Sequence, residues 1–352
     1  MAAFMALSSA LLSTVAPLCS NASTVVAGVN LQDQVVVITG GDSGIGLANA
    51  RALAQANASV VLAAYHLDHG QEVAKNISLQ TGNPNVSALQ VDLSNLTSVR
   101  SFCRALLATS KQVDVLINDA GISNPIGHGV PGITADGFER VFAVNYLGHF
   151  LMTELLLPAL RLSPHGRVIS VSSYAAKMGC ELARRPLNCL SGETQWNKDA
   201  TTETKNVTSR RPQAIGTTNY GISKFMQIAH MHELSRRESA ANSSVSAYSM
   251  HPGVTATSMT DGRLTNLTCA AICLADMHKA VDKCELGVCP VFPAQAAATT
   301  AFLATSTGTS LISGEYYFEC AVEKKPSPLG WSWDRDPAAL YDASLSWAGV
   351  HD

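Results

Sequence analysis

Charged side chains are scarce in this sequence. Only 14% of the 352 residues are charged and 47% are apolar, whereas about a quarter of an ordinary soluble protein is charged. The net charge is −3, and no run of Lys or Arg is longer than two residues. Because binding to a nucleic-acid backbone needs a basic surface, the sequence predicts no nucleic-acid partner. The high apolar content excludes an intrinsically disordered chain and predicts a large core.

Cysteine is too infrequent for a disulfide-rich scaffold, with nine residues in the whole chain. We predict that Cys180 pairs with Cys189 and that two of the residues from Cys269 to Cys289 pair with each other. Free thiols are the alternative, and the spacing Cys269-x3-Cys273-x10-Cys284-x4-Cys289 also resembles a zinc pattern. We favour the first two interpretations and predict no metal site, because no histidine has ligand spacing to a second one.

The first 32 residues contain no charged side chain. Residues Ala2–Leu18 are mostly apolar and could form a secretory or endoplasmic-reticulum signal, with Ser20-Asn21-Ala22 as its cleavage site. The absence of a basic residue at its start argues against a signal, and the segment is short and polar for a membrane span. The alternative is a loosely packed N-terminal extension. A mitochondrial presequence fits worse, since the first Arg is Arg51.

From Asp33 onward, short β-branched runs alternate with longer amphipathic stretches. The predicted strands are Val35–Thr39, Val60–Ala63, Ala88–Val91, Val113–Ile117, Arg167–Val171, Val245–Ser249 and Glu315–Phe318. The amphipathic stretches between them include Gly46–Gln55 and Gly137–Leu160. This alternation predicts right-handed βαβ units on a parallel sheet. The expected fold class is α/β, with a doubly wound (Rossmann) sheet of about seven strands and helices on both faces.

We expect a single domain over residues 33–322, preceded by an apolar extension (1–32) and followed by a tail (323–352). Two stretches interrupt the alternation of strands and helices. Lys177–Thr217 is polar, and Thr260–Pro290 contains cysteines; both are predicted insertions. Trp331, Trp333 and Trp347 lie in the tail and could form a lid, a membrane contact or ordinary packing.

A glycine-rich turn follows the first predicted strand, in the sequence Thr39-Gly40-Gly41-Asp42-Ser43-Gly44-Ile45-Gly46. Glycines allow the backbone to approach a pyrophosphate, and the N-terminus of the next helix supplies N–H donors. The position between a strand and a helix predicts a dinucleotide site that includes Gly40, Asp42, Ser43, Gly44, Ile45 and Gly46.

Further motifs occur in an order that resembles the short-chain dehydrogenase/reductase family. They are Asp92-Leu93, Asn118-Asp119-Ala120-Gly121, Tyr220-Gly221-Ile222-Ser223-Lys224 and Pro252-Gly253-Val254-Thr255-Ala256-Thr257. The resemblance implies a nicotinamide dinucleotide, NAD(P), contacted by Asp92, Leu93, Asn118, Ala120, Gly121, Tyr220, Lys224, Pro252, Gly253, Val254 and Thr257. Asp119 stands where the family usually has Asn.

Finer features resemble the retinol dehydrogenase and WW-domain-containing oxidoreductase branch. They are Thr134–Glu139, Val144–Phe150, Ala297–Thr300 and Glu315–Phe318. The branch implies oxidation or reduction between a small apolar alcohol and its carbonyl. Steroids, other lipids and xenobiotic carbonyls are alternative substrates. A protein that senses dinucleotides without turnover is a further alternative, although such proteins typically lose the tyrosine or the lysine, and this chain keeps both.

The residues after the second predicted strand leave open whether the cofactor is NAD or NADP. The branch commonly places Arg there to hold the 2′-phosphate of NADP, but this chain has Tyr65 and His66. An acid that would bind the ribose of NAD is also absent. Family resemblance alone favours NADP slightly.

Tyr220 and Lys224 have the spacing of neighbours on one face of a helix, predicted over Gly221–Leu234. A phenol is a poor acid or base at neutral pH, and a nearby ammonium is expected to lower its pKa. The resemblance assigns Ser173 to the substrate oxygen and Asn145 to a proton-relay water. Ser173 and Tyr220 are 47 positions apart, so the first insertion must loop out between them.

Asn-x-Ser/Thr sequons are frequent, and N-linked glycans attach to such sequons in the secretory lumen. They occur at Asn21, Asn57, Asn76, Asn85, Asn95, Asn206, Asn242 and Asn266. With the predicted cysteine pairs, they favour the endoplasmic reticulum or secretory pathway. The alternative is a cytoplasmic enzyme.

Overall fold

The computed structural model describes residues 19–123, 132–176, 215–253, 255, 292–307, 311–323 and 337–350. Most of both predicted insertions, with Cys180, Cys189 and the four cysteines from Cys269 to Cys289, lies outside the described residues. The two helices near the ends of the chain are α1 (Ala22–Val25) and α10 (Pro337–Ala348). Both helices contribute side chains to the hydrophobic core although they lie outside residues 33–322, the range expected for the domain.

One sheet forms the centre of the molecule. Its strands are β1 (Val35–Thr39), β2 (Ser59–Ala64), β3 (Val86–Gln90), β4 (Val115–Asn118), β5 (Arg167–Val171), β6 (Ser246–Met250), β7 (Tyr316–Phe318) and β8 (Ala321–Val322). Their order is β3-β2-β1-β4-β5-β6-β7-β8. The first seven strands run parallel, which confirms the doubly wound fold, and β8 pairs antiparallel with β7. The expectation of about seven strands missed β8, because two residues are too short to show a periodicity.

Helices connect the strands and cover the sheet. They are α2 (Gly44–Gln55), α3 (Leu67–Thr81), α4 (Leu96–Thr109), α5 (Arg140–Phe142), α6 (Gly148–Leu160), α7 (Ile215–Ala240), α8 (Pro293–Ala296) and α9 (Ala298–Thr305). The single stretch predicted over Gly137–Leu160 is divided by a π-helical turn at Ala143–Leu147. Helix α7 begins at Ile215, six residues before its predicted start, so Tyr220 lies inside the helix.

Apolar side chains fill both faces of the sheet because successive residues of a strand point to opposite sides. In β1, Val37 belongs to the cluster that includes residues of α4, α6, α7 and α10. Its neighbours Val36 and Ile38 belong to the cluster with α1, α2 and α9. All three are fully buried. Burial of each such side chain contributes about 1.5–3 kcal/mol, so these two layers hold the strand ends in fixed positions.

The C-terminal helix α10 is part of the first of these clusters. Leu340 is 1% exposed, and the Tyr341 hydroxyl donates to Glu154 Oε1 at 2.5 Å. Trp347 packs edge-on against Phe142, with ring centroids 5.7 Å apart. Of the three interpretations for the tail tryptophans, Trp347 therefore fits ordinary packing. Trp331 and Trp333 lie outside the described residues.

A disulfide joins Cys19, just before α1, to Cys320 in the turn between β7 and β8. Their Cα atoms are 6.0 Å apart. No sequence pattern predicts this pair, because 301 positions separate the two cysteines and only the fold brings them together.

Candidate active site

The predicted site residues come from strands that end at one edge of the sheet. Because parallel strands share a direction, the turns after Thr39, Asn118, Val171 and Met250 all open on the carboxyl edge. The strand order reverses direction between β1 and β4, and such a switch point forms a crevice where α/β proteins bind ligands.

The glycine loop after β1 needs its glycines for conformation and for space. Gly40 and Gly44 have φ of +65° and +54°, a region that favours glycine. A Cβ on Gly46 would collide with the Gly40 carbonyl. Helix α2 begins at Gly44, and the side chain of its N-cap, Ser43, makes no capping hydrogen bond. The Ser43 side chain therefore leaves the N–H groups of the first turn uncapped, Gly46 N–H donates to Asp119 instead, and the N-terminus of the helix is a site that favours an anion.

Thr39 joins the glycine loop to the loop after β4. Its hydroxyl accepts hydrogen bonds from the backbone N–H groups of Asp119 at 2.9 Å and Ala120 at 3.0 Å. His149 Nε2 lies 2.9 Å from the same hydroxyl, and the other ring nitrogen of His149 lies 3.0 Å from the Asn145 carbonyl oxygen. Burial lowers the pKa of His149 to about 3, so its ring is neutral. These contacts set the separation of the two loops on either side of the switch point.

Two buried oxygens remain without a partner next to this junction. They are Oδ1 of Asn118, whose Nδ2 donates to Thr153 at 3.1 Å, and Oδ1 of Asp119. The Asp119 carboxylate accepts a hydrogen bond from the Gly46 backbone. Burial raises the pKa of Asp119 to about 7, an effect that the positive charge of Lys224 partly offsets. Buried acceptors of this kind are expected to meet a donor when the site is filled.

The turns after β2 and β3 bound the other end of the crevice. Oδ1 of Asp92 accepts from the Ser94 N–H at 2.8 Å and from the Ser94 hydroxyl at 2.6 Å, which fixes the carboxylate. Leu93 is buried. Tyr65 is 59% exposed and contacts His66, with ring centroids 4.7 Å apart. His66 is the N-cap of α3. These four residues lie at the carboxyl ends of β2 and β3.

Ser173, Tyr220 and Lys224 come together at the ends of β5 and α7. The Ser173 side chain hydrogen-bonds the Tyr220 hydroxyl. Lys224 Nζ donates to the Val171 carbonyl at 2.8 Å and lies 5.7 Å from the centre of the Tyr220 ring. The lysine side chain is 2% exposed. A phenol, a hydroxyl and an ammonium thus share one buried corner of the crevice.

The pKa of Tyr220 differs from the expectation drawn from the spacing to Lys224. Burial raises this pKa above its usual value, the hydrogen bond from Ser173 opposes the rise, and the charge of Asp119 adds to it. Burial also lowers the pKa of Lys224 to about 8, which the charge of Asp119 opposes. The expected lowering of the tyrosine pKa is therefore absent: desolvation is the largest cause of the shift, and Lys224 is not among the groups that affect this pKa.

Asn145 lies in the π-helical turn and is fully buried. Its Oδ1 accepts from the Ile122 N–H at 2.8 Å, while its Nδ2 donates to the Ile122 carbonyl at 2.9 Å and to Ser223 at 3.1 Å. The Asn145 carbonyl accepts from Gln227 Nε2 at 2.7 Å. Asn145 therefore connects the loop after β4 to α7 beside Tyr220.

The loop after β6 begins with Pro252 and Gly253, and Gly253 has φ of +76°. The Gly253 N–H donates to His251 Nδ1 at 3.3 Å, and His251 Nε2 lies 3.2 Å from Glu323. The His251 ring stacks on Phe318 with centroids 4.1 Å apart. Val254 and Thr257, the other predicted contacts in this loop, lie outside the described residues.

Sequence reasoning missed two participants in the site. Tyr316 of β7 donates from its hydroxyl to the Ser173 carbonyl at 3.3 Å. Asp119 is, from the sequence, only a departure from the family pattern, but its charge raises the pKa values of both Tyr220 and Lys224. In the ranges that the structure describes, no group of three or more His, Cys, Asp or Glu side chains could hold a metal ion.

The residues present fit a nicotinamide dinucleotide. The glycine loop leaves no room for a Cβ at Gly46, the N-cap Ser43 side chain does not cap α2, and two buried oxygens lack donors. Gly40, Ser43, Gly44 and Ile45 would hold its pyrophosphate.

Comparison with known proteins agrees with the fold. The model of the short-chain dehydrogenase family matches residues 34–184. Retinol dehydrogenase 11 of Homo sapiens is 34% identical over 84% of this chain and 80% of its own length. Retinol dehydrogenase 12 of Homo sapiens is 32% identical over 83% and 79%. A solved structure of a Mycobacterium paratuberculosis protein, 28% identical, covers 91% of this chain and 95% of its own with a TM-score of 0.59.

The chain belongs to the short-chain dehydrogenase/reductase family, and it is an NAD(P)-dependent oxidoreductase.

Proposed function

We propose that this enzyme interconverts a small apolar alcohol and its carbonyl, with retinol and retinaldehyde as the preferred pair. The observation that carries the proposal is the similarity to retinol dehydrogenases along 84% of the chain. Steroids, other lipid-derived carbonyls and small xenobiotic carbonyls are the second candidate class, since one fold can serve many substrates.

Tyr220 is the general acid in the reducing direction and the general base in the oxidising direction. Its hydroxyl gives a proton to the substrate oxygen when the carbonyl is reduced and takes it back when the alcohol is oxidised. Ser173, already hydrogen-bonded to that hydroxyl, orients the substrate oxygen. Both groups are partly buried, and a reduced contact with water strengthens their interactions with the substrate oxygen. The dinucleotide, when bound, supplies or accepts the hydride.

Lys224 and Asn145 position the reacting groups. Lys224 Nζ lies 5.7 Å from the centre of the Tyr220 ring, where it would hold the nicotinamide ribose. The Asn145 side chain connects the Ile122 backbone to Ser223, three residues after Tyr220 in α7. We propose that the proton-relay water lies beside Asn145.

The substrate proposal is tested with the full-length enzyme and both reduced cofactors. Initial rates are measured on retinaldehyde, a steroid ketone and a quinone, with Tyr220→Phe as the background control. The proposal expects the largest kcat/KM on retinaldehyde. A larger value on the steroid or the quinone would favour the second class, and the absence of turnover on all three would contradict both.

For the cofactor we propose NADP, on the basis of family resemblance. Introducing a guanidinium at the end of β2 tests the position of the 2′-phosphate, because Arg pairs with phosphate oxygens. His66→Arg is expected to lower the KM for NADPH relative to NADH by about tenfold. The matched control is His69→Arg, one turn further along α3, which is expected to leave this ratio unchanged. An unchanged ratio in both variants would show that His66 does not face the 2′-position.

For the compartment we propose the endoplasmic reticulum or secretory pathway, with association to its membrane; a cytoplasmic enzyme is the alternative. One helical stretch among the described residues, Arg140–Leu160, is long and apolar enough to cross a membrane. Most of it, 78% of its most apolar window, is buried inside the protein, so we assign the membrane contact elsewhere. Fractionation of cells, followed by alkaline extraction of the membranes, tests the assignment.

A further inference from the structure

Asparagines inside sequons and asparagines outside them occupy different environments in this protein. Six sequon asparagines lie in the described residues and none is buried: Asn21, Asn57, Asn76, Asn85, Asn95 and Asn242. Of the six described asparagines outside sequons, four are buried: Asn49, Asn83, Asn118 and Asn145. A glycan needs an accessible amide nitrogen. Asn57, Asn76, Asn85 and Asn242 are exposed, Asn21 and Asn95 are half-buried, and the Asn57 amide nitrogen donates to Asn30 Oδ1 at 3.1 Å on the surface.

Three of the exposed sequons lie on loops at the amino edge of the sheet. Asn57 precedes β2, Asn85 precedes β3 and Asn242 precedes β6. Because the dinucleotide and substrate residues follow the strands, they lie at the opposite edge. A large polar substituent on any of these three asparagines would therefore project away from the active site.

The local geometry of the three loops also suits modification. Asn57 and Asn242 have φ of +68° and +53°, so each lies at a sharp turn of the backbone. Asn85 is exposed at the start of β3, which is the edge strand of the sheet. None of the three side chains packs in the core, and a glycan on them displaces no buried contact.

The disulfide between Cys19 and Cys320 is an independent sign of the same environment. It joins the segment before α1 to the β7–β8 turn, and both cysteines are only partly buried. Partly exposed disulfides persist in oxidising compartments and are reduced in the cytosol. The remaining cysteine among the described residues, Cys103, is a buried thiol whose pKa burial raises to about 12, which makes it unreactive.

We propose that the catalytic domain faces the lumen of the secretory pathway and carries N-linked glycans on Asn57, Asn85 and Asn242. In each transfer, the asparagine Nδ2 forms a bond to C1 of a lipid-diphosphate-linked oligosaccharide. The sugar–phosphate bond breaks, the lipid diphosphate leaves, and the amide loses one proton. Thiol–disulfide exchange with an oxidised protein disulfide forms the Cys19–Cys320 bond. That exchange removes two electrons and two protons from the two thiols and reduces the partner disulfide to a dithiol.

The disulfide also determines where the N-terminal segment can be cut. Cleavage after Ala22 would remove Cys19 from the polypeptide, and only the disulfide would then hold the released segment. The proposal therefore places the mature N-terminus at or before Cys19. This differs from cleavage at Ser20-Asn21-Ala22, which the sequence left open beside a retained N-terminal extension.

The test uses the full chain produced in a eukaryotic cell and compares its electrophoretic mobility with and without an amidase that removes N-linked glycans. Deglycosylation is expected to increase the mobility of the parent. In each of Asn57→Gln, Asn85→Gln and Asn242→Gln, this increase should be smaller by the contribution of one glycan. Asn30→Gln is the control for Asn85 and Asn242, because Asn30 is exposed but lies outside any sequon and its contact among the three sites is the hydrogen bond from Asn57 Nδ2; its shift is expected to equal that of the parent. Mass spectrometry after deglycosylation in heavy-oxygen water should find labelled aspartate at the three positions.

Alkylation of denatured protein gives a second readout. Cys19 and Cys320 should become labelled only after reduction, whereas Cys103 should be labelled without it. Absence of a mobility shift, or glycans confined to other sequons, would overturn the inference. Free thiols at Cys19 and Cys320 would also overturn it.

The inference rests on the proposed compartment, and the two can fail separately. An enzyme that fractionates with the endoplasmic reticulum but lacks glycans leaves the compartment standing and overturns the inference. Oxidoreductase activity on the proposed substrates is measured independently of either result.

Discussion

Asp119 and Lys224 are buried groups of opposite charge that act on each other across the active site. Asp119 follows β4 and Lys224 lies in α7. Burial raises the pKa of the acid to about 7 and lowers that of the lysine to about 8, while the attraction between the two charges opposes both shifts. The same carboxylate raises the pKa of Tyr220. The acid at this position therefore affects the group that we propose transfers the proton.

Asp119→Asn is expected to move the pH dependence of alcohol oxidation to lower pH. Oxidation needs the deprotonated form of Tyr220, and Asp119 is charged above about pH 7, where its negative charge keeps the tyrosine pKa high. Removing the charge lowers that pKa, so kcat/KM should rise at lower pH than in the parent enzyme. The measurement is the profile of kcat/KM against pH.

Glu72→Gln provides the control for this experiment. It removes one negative charge from an exposed position on α3 and is expected to leave the profile in place. A profile that is the same in Asp119→Asn and in the parent would show that the carboxylate does not act on the catalytic proton.

Tyr220→Phe is expected to lower kcat by about 10² or more, because it removes the proton donor and keeps the ring. Affinity for the dinucleotide should change little in the variant, as measured by titration calorimetry. Lys224→Ala should weaken both turnover and cofactor binding. The control is Tyr248→Phe, which changes a buried tyrosine in β6 that packs edge-on against Tyr317. Near-normal turnover in Tyr220→Phe would mean that another group is the acid.

Gly44→Val is expected to abolish dinucleotide binding. Valine at φ of +54° is strained by about 1–3 kcal/mol, and its side chain would occupy the turn that approaches the pyrophosphate. Gly82→Val is a matched control: Gly82 has φ of +72° at the end of α3, far from the carboxyl edge, with open space around it. Both variants should lose similar stability, but only Gly44→Val should lose binding. Equal affinity in the two would contradict the assignment of the loop.

Leu340→Ala is expected to lower the free energy of unfolding by about 2–5 kcal/mol, since the side chain is 1% exposed in the core beneath α10. Urea denaturation measures the change. Leu79→Ala, at a leucine that is 73% exposed on α3, should change stability by less than about 0.5 kcal/mol. Equal effects would show that α10 does not contribute to the core.

Local patterns in the sequence determined much of the fold and the candidate site. The continuous apolar run Val35–Thr39 matches β1 residue for residue, because a strand covered on both faces needs apolar side chains throughout. The glycine loop and the four-residue spacing of Tyr220 and Lys224 were also readable, since each depends on the conformation of a few neighbouring residues. The parallel direction expected of strands in βαβ units then implied that the turns after successive strands would meet at one edge.

Only the tertiary structure decided which distant residues meet and what their burial does. Three features join segments that no short-range sequence pattern connects. They are the disulfide between Cys19 and Cys320, the packing of α10, and the influence of Asp119 on the pKa of Lys224. The pKa of Tyr220 shows the reason most clearly. Spacing to a lysine predicted that it would fall, but desolvation raises it, and desolvation depends on everything that packs around the group rather than on its neighbours in sequence.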